Sequence, residues 1–245
     1  MYKKLTNKTA IVTGATGNGL GRNIALTLAR EGANVVINYK NSVSKAEEIV
    51  QYIRDNNGNA IAVKADIFVD KECEVLVDET IEQYGKVDIL IIVPGAGWHV
   101  ESVDNLDIEK SLQDINNEIT PVYHFLPKIL PLMNQQHWGR IIGISVLANP
   151  PSPSYSYNIS KRARTEALLL VSSEAWKNNV TINVLSPGPV AHIEQFDIAV
   201  NLSNKDDEWI TRKNITPQDI AETVLFLCSE EAAYITGTEI NFQFK

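Results

Sequence analysis

The run Val87–Val93 is apolar at nearly every position. A strand with one wet face alternates apolar and polar residues, so a run without alternation belongs to a strand covered on both faces. That arrangement marks a parallel sheet held between two layers of helices. The rest of the chain repeats the theme. Thr9–Thr13, Asn34–Asn38, Ala60–Lys64, Arg140–Ser145, Val180–Leu185 and Gly237–Phe242 read as further short strands. Between them, Ser44–Asp55, Lys71–Tyr84 and Tyr155–Lys177 read as helices. Ile108–Met133 reads as a long helical stretch that Pro121, Pro127 and Pro131 should bend or divide into two segments. Thr216, Pro217 and Asp219 supply an N-cap, a first-turn proline and an acidic third position for a helix running to Cys228. Residues 191–215 are polar and irregular, and a small lid over about 189–215 is expected. The order of elements predicts the α/β class: a doubly wound, mostly parallel seven-stranded sheet, Rossmann-like, with helices on both faces and ligands at the carboxyl ends of the strands. With 245 residues and 44% apolar composition, one domain spanning 1–245 is expected.

The formal charge of -8, with no basic run, argues against nucleic acid or an anionic membrane surface as a partner. Behind Met1–Lys4 the apolar run stops at Gly14, too short for the core of a signal peptide, so a cytoplasmic enzyme is expected. Cys73 and Cys228 are too few and too far apart for a disulfide framework and read as buried free thiols. His99, His124, His137 and His192 lack metal-ligand spacing, and no metal is expected.

Two stretches carry chemistry. In the first, strand Thr9–Thr13 runs into Gly14-Ala15-Thr16-Gly17-Asn18-Gly19-Leu20-Gly21, after which Leu20, Ile24 and Leu28 recur at helical spacing. Glycines between a strand and a helix let the backbone approach a pyrophosphate, and the helix start offers unpaired N–H groups and a positive dipole end. In the second, Tyr157 and Lys161 lie four residues apart and share a helix face. A free phenol ionises near pH 10, so acid–base work at neutral pH needs about 4 kcal/mol of help. A cation about 4 Å away contributes about that much at an effective dielectric near 20.

Taken in order, Thr13-Gly14 with Gly19 and Gly21, Ala65-Asp66-Ile67, Val87-Asp88-Ile89-Leu90, Asn117, Gly139-Arg140-Ile141-Ile142, Tyr157 with Lys161, Ser186-Pro187-Gly188 and Thr216-Pro217 resemble the short-chain dehydrogenase/reductase family over nearly the whole chain. The resemblance implies an NAD(P)(H)-dependent oxidoreductase that interconverts a carbonyl and a secondary alcohol. It implies that Tyr157 is the acid/base, that Lys161 lowers its pKa and holds the nicotinamide ribose, that Ser145 binds substrate, and that Asn117 supports a relay water behind Lys161. Coenzyme contacts are implied at Gly14, Asn18, Gly19, Leu20, Gly21, Tyr39, Lys40, Asp66, Ile67, Gly95, Pro187, Gly188 and Val190, as well as at Tyr157 and Lys161. After the second strand stand Asn38, Tyr39 and Lys40, with no carboxylate for a ribose 2′-hydroxyl, so NADP(H) is expected over NAD(H).

The chain also departs from the family pattern. Its glycine loop is one residue longer. Ile92-Val93-Pro94-Gly95, or Pro94-Gly95-Ala96-Gly97 under a longer strand, replaces the usual Asn-Asn-Ala-Gly. Ser145 falls one residue early, with Val146 in the serine's usual place, and only a shift or bulge at the strand end would return it to the cleft. His192 stands where a threonine usually contacts the carboxamide. These departures keep open an alternative: an impaired subunit supporting an active partner in a hetero-oligomer. Under either reading the resemblance implies an oligomer, a homo-dimer or homo-tetramer for the enzyme, with helices 108–133 and 155–177 pairing with their copies. Trp98, His99, Phe196, Leu202, Trp209 and Ile210 are candidates for lining a substrate pocket or for plain core and lid packing.

Overall fold

The computed structural model describes residues 3–147 and 154–243. Among them, seven strands form one sheet in the order β3-β2-β1-β4-β5-β6-β7, and every pairing is parallel. The strands are β1 Thr9–Val12, β2 Asn34–Tyr39, β3 Asn59–Lys64, β4 Ile89–Ile92, β5 Gly139–Ile144, β6 Val180–Pro187 and β7 Glu239–Phe242. Every residue of β1, β4, β5 and β6 is buried, as the unbroken apolar run at 87–93 required.

Two apolar layers sandwich the sheet. On one face β1, β2 and β4 pack under α1 (Leu20–Arg30), α2 (Val43–Asp55) and the last long helix, Pro217–Cys228. On the other, Phe125, Ile129 and Met133 of α4 (Ile108–Gln136) join residues of α3 (Asp70–Tyr84) and α5 (Tyr155–Leu169). Chain order reverses direction beside β1, which pairs with β2 on one side and β4 on the other. A crevice opens at the carboxyl ends of those strands.

Three expectations are revised. Helix α4 is one helix of 29 residues, undivided by its three prolines. Val122, Phe125, Ile129 and Met133 form one continuous buried stripe. Pro127 and Pro131 lie on the exposed side, where the carbonyls freed by their missing N–H groups meet water. The expected helix 155–177 ends at Leu169, where the Ser172 hydroxyl donates to the Leu169 carbonyl at 2.6 Å. It continues only as the short α6 (Ser172–Ala175) and a 3-10 turn. The stretch 191–215 is not irregular throughout. It contains α7 (Phe196–Ser203), whose Ala199 and Leu202 are buried, and α8 (Asp207–Ile210), followed by α9 (Pro217–Cys228). At the start of α9 the Thr216 N–H donates to the Asp219 carboxylate at 2.8 Å, as its cap sequence foretold.

Candidate active site

The crevice divides into two connected cavities. One, of about 410 Å³, is lined by Gly14, Thr16, Gly17, Gly19, Leu20, Gly21, Lys40, Asn41, Ser42, Val93 and Pro94. The other, of about 760 Å³, shares Gly19, Leu20 and Val93 with it and reaches Trp98, Ser145, Val146, Leu147, Tyr157, Lys161, Pro187, Gly188, Val190 and His192. The glycine-loop cavity thus runs into the space where the phenol and the ammonium stand.

The glycine loop is fixed by its neighbours. Thr13 accepts from the Val93 N–H and donates to the Ile91 carbonyl, both at 3.0 Å, which ties β1 to β4. Gly14 has φ +61 and lies against Pro94, a position closed to any residue with a Cβ. A Cβ on Gly21 would stand 2.6 Å from the Gly14 carbonyl, so helix α1 can begin so close to the loop only through glycine. Asn18 does not line the crevice: its carbonyl accepts from the Ile193 N–H at 2.8 Å and its side chain accepts from Lys45 at 3.0 Å, so its backbone faces the segment after β6. Arg22, almost fully buried, donates to the carbonyls of Ile193, Glu194 and Gln195 and straps that segment down.

Of the coenzyme contacts inferred from the sequence, Gly14, Gly19, Leu20, Gly21, Lys40, Pro187, Gly188, Val190, Tyr157 and Lys161 line the crevice. Asn18 turns away as described. Ile67 is a core residue whose carbonyl receives His124 and Cys73, and Tyr39 packs on the apolar layer. Asp66 stands 2.6 Å from Lys40. Burial opposes its ionisation, but the Lys40 and Phe68 hydrogen bonds hold its carboxyl below the usual range.

At the phenol the structure differs most from expectation. Asn117 points along the outside of α4, where its carbonyl oxygen accepts from Gln113 at 2.8 Å. The side chain behind Lys161 is that of Glu118, one residue on and fully buried. Its Oε1 lies 2.9 Å from Lys161 Nζ and accepts from the Ala96 N–H at 2.6 Å. Its Oε2 lies 2.8 Å from Arg164 Nε. The Arg164 guanidinium also donates to the carbonyls of Val93 and Ile144, at 3.2 and 3.1 Å, and to that of Pro94, so it clasps the ends of β4 and β5 where the asparagines are missing. Gly95, expected at the coenzyme, is instead the floor under the carboxylate, since a Cβ there would collide with Glu118.

Lys161 is therefore engaged with Glu118, and its Nζ sits 5.4 Å from the centre of the Tyr157 ring. Burial, then the Glu118 charge, push the Tyr157 phenol up to about 12 against the pull of Arg164. Burial and the neighbouring Arg164 lower Lys161 to about 8, with Glu118 opposing. Ser145 faces α5, where it donates to the Lys161 carbonyl at 3.1 Å and accepts from Thr165 at 2.9 Å. The N–H groups of Ser145 and Leu147 bond the carbonyls of Leu185 and Pro187, so the β5–β6 ladder continues without a bulge and Val146 keeps the serine's place.

Trp98 borders the larger cavity with most of its surface exposed. Phe196 packs edge-on against Tyr52, and Trp209 lies against Arg212 and Lys205, so both serve local packing. Leu202 is buried with them, whereas Ile210 is exposed. His99 sits 3.5 Å from Asp114, beside Glu101, which holds the start of α5 through Ser156. Glu118 and Arg164 escaped the sequence reading, although a signal was present. Glu118, Val122, Phe125 and Ile129 share one helix face, as do Tyr157, Lys161 and Arg164, and charges on such faces need partners.

Fold and crevice together define an α/β protein with a dinucleotide-type cleft at its switch point. A family model described as enoyl-(acyl carrier protein) reductase matches residues 14–243. The 3-oxoacyl-[acyl-carrier-protein] reductase FabG of Staphylococcus epidermidis is 32% identical over 242 residues, 96% of this chain and 97% of that protein. Glucose 1-dehydrogenase 2 of Bacillus subtilis is 32% identical over 252 residues, 98% and 95% of the two chains. A solved 7 alpha-hydroxysteroid dehydrogenase, complexed with NADH and 7-oxo glycochenodeoxycholic acid, superposes with a TM-score of 0.83 at 28% identity, covering 98% of this chain and 94% of that one. The chain belongs to the short-chain dehydrogenase/reductase family.

Proposed function

We propose that this protein is an NAD(P)(H)-dependent oxidoreductase that interconverts a carbonyl and a secondary alcohol, with Tyr157 moving the proton and NADP(H) the preferred coenzyme. The observation that carries the reading is the continuity of the crevice: Tyr157 and Lys161 face the same cleft that begins at the glycine loop. The residues fit a dinucleotide. No side chain caps the first turn of α1, whose N–H groups and dipole suit a pyrophosphate, and Gly19 has open space where a Cβ would stand. Lys40, which lines the glycine-loop cavity, suits a 2′-phosphate. The ion pair of Lys40 with Asp66 is open to water on the lysine side and worth about 1 kcal/mol, which leaves Lys40 able to turn to a phosphate.

A bound nicotinamide supplies the hydride. The chain supplies the rest: Tyr157 Oη holds the proton exchanged with the substrate oxygen, Pro187 and Gly188 wall the cleft opposite, and Trp98, Val146 and Leu147 offer an apolar bed for the substrate carbon skeleton. Exposed Ile108, Leu112, Tyr123 and Ile159 on α4 and α5 support pairing with a second copy.

The reading is tested by titrating NADPH and NADH against tryptophan emission, for which Trp98 is a reporter, and then assaying keto-thioester, ring-ketone and sugar substrates. Saturable NADPH binding is expected, with turnover lost in Tyr157→Phe while binding stays. A second reading, a coenzyme-binding subunit without turnover of its own, draws on one observation, the Ser145 hydroxyl spent on α5. Binding with no turnover on any substrate class would favour it; no binding would end both.

A further inference from the structure

We infer that the cleft takes an uncharged, largely apolar ketone or secondary alcohol on a ring or branched skeleton, and turns away keto acids, sugars and thioesters borne on an acidic carrier. The inference deepens the oxidoreductase reading above and rests on it. Beside Tyr157 the larger cavity is lined by Trp98, Ile144, Val146, Leu147, Pro189 and Ala191, a bed of apolar side chains. Trp98 is 63% exposed, a large aromatic surface that an apolar ligand would cover. At about 760 Å³ the cavity is of a size that encloses a drug-sized ligand, so a ring ketone fits beside a nicotinamide.

Polar partners on this wall are already spent. The Ser145 hydroxyl lies between the Lys161 carbonyl and Thr165, at 3.1 and 2.9 Å. Lys161, nearly buried, stands 2.9 Å from Glu118, and Arg164 behind it serves the same carboxylate and the ends of β4 and β5. Among the described lining residues, His192 is the one other side chain with a titratable nitrogen, and it is exposed to water. Residues 148–153, which follow Leu147 in the sequence, read Ala-Asn-Pro-Pro-Ser-Pro and hold no charge. A carboxylate or phosphate entering the cleft would shed water without gaining a buried cation, and each desolvated sugar hydroxyl would need a partner of its own. The approach is no kinder to anions. After Trp98 come the exposed acids Asp104, Asp107 and Glu109 against the single cation Lys110, and after His192 come exposed Glu194 and Asp197, with no lysine or arginine before Lys205. Such a charge pattern slows an acidic carrier and leaves a neutral ketone unaffected.

The test compares two ligands that differ in charge alone: a cyclohexanone bearing a methyl ester and the same ring bearing the free carboxylate. With NADPH, kcat/KM for the ester is expected to exceed that for the acid by about 10²-fold. Through cyclopentanone, cyclohexanone and cycloheptanone it should climb about fourfold per methylene. Trp98→Ala should raise KM for the ester about tenfold and leave kcat within about threefold. Leu147→Lys, which sets a cation on the apolar wall, should narrow the ester-to-acid ratio about tenfold; should that variant not fold, the wild-type pair still decides. A ratio near one, a KM unmoved in Trp98→Ala, or glucose or an acetoacetyl thioester turned over as well as the best ring ketone would overturn the inference. Calorimetric titration of ester and acid into protein saturated with NADP⁺ separates the two readings. Ester bound in preference to acid but never reduced counts against the oxidoreductase reading, whereas reduction of both without preference counts against the substrate class alone.

Discussion

Replacing Arg164 with methionine tests whether the guanidinium clasp holds the carboxyl edge of the sheet together. The side chain is fully buried and 2.8 Å from an equally buried Glu118. It also serves the carbonyls of Val93, Ile144 and Pro94. Removing one partner of a buried ion pair costs about 3–5 kcal/mol. Lys161 still faces the other carboxylate oxygen, which places the electrostatic part near the lower end. Three carbonyls without a donor add about 1 kcal/mol each. The sum, after the methionine recovers some apolar packing, is about 4–6 kcal/mol. At about 2–4 °C per kcal/mol for a chain of this size, the midpoint of thermal unfolding should fall by about 8–24 °C at fixed protein concentration. Circular dichroism melts of the purified variant measure it. A fall of under about 4 °C would mean that β4 and β5 are held by their ladder alone and would refute the account of how the chain does without its asparagines. A double-mutant cycle with Glu118→Gln sharpens the point, since the two substitutions should be clearly less than additive.

Lys40→Ala should raise the dissociation constant of NADPH about tenfold, the loss of one phosphate contact, and leave NADH unchanged; equal effects on both would remove Lys40 from coenzyme selection. Ser145→Ala should keep turnover within about threefold of wild type, because the hydroxyl is spent on Lys161 and Thr165, and lower stability by about 1 kcal/mol. A loss of about 10²-fold in rate would mean that the serine turns to the substrate. Burial raises Cys73 and Cys228 from 9.0 to about 12. Between those pH values the unfolded chain gives up two protons that the folded chain keeps, so stability falls as pH rises through that window. Thermal melts at pH 8 and pH 10 should show the decline, and it should be shallower in Cys73→Ala/Cys228→Ala, while a thiol reagent at pH 8 should label neither cysteine in the native protein.

The fold was readable because its signals are local and repeated. Strands buried on both faces leave unbroken apolar runs, and the Thr216–Asp219 cap leaves its own short pattern. The misjudged elements were those where packing outweighed local preference. A buried stripe carries α4 past three prolines, and Ala199 and Leu202 fold α7 out of a polar stretch onto α1, where Asn23 donates to the Ala199 carbonyl at 3.0 Å. Half of the site was readable in the same way. The glycine loop announces itself by composition, and Tyr157 and Lys161 by their spacing.

The other half was hidden because it consists of departures that compensate one another across long distances in sequence. The stretch from Ile92 to Gly97 without its asparagines looks like a loss, until Arg164 is seen donating to the Pro94 carbonyl and Glu118 resting against Gly95. A carboxylate at 118 is intelligible only with cations at 161 and 164, and a glycine at 95 only with that carboxylate above it. Each substitution alone would leave a buried charge or a clash, a cost of several kcal/mol. Together they rebuild the end of the sheet around an ion trio. The Lys161 ammonium becomes part of that scaffold, 2.9 Å from the Glu118 carboxylate, and burial together with the same carboxylate pushes the neighbouring phenol up to about 12.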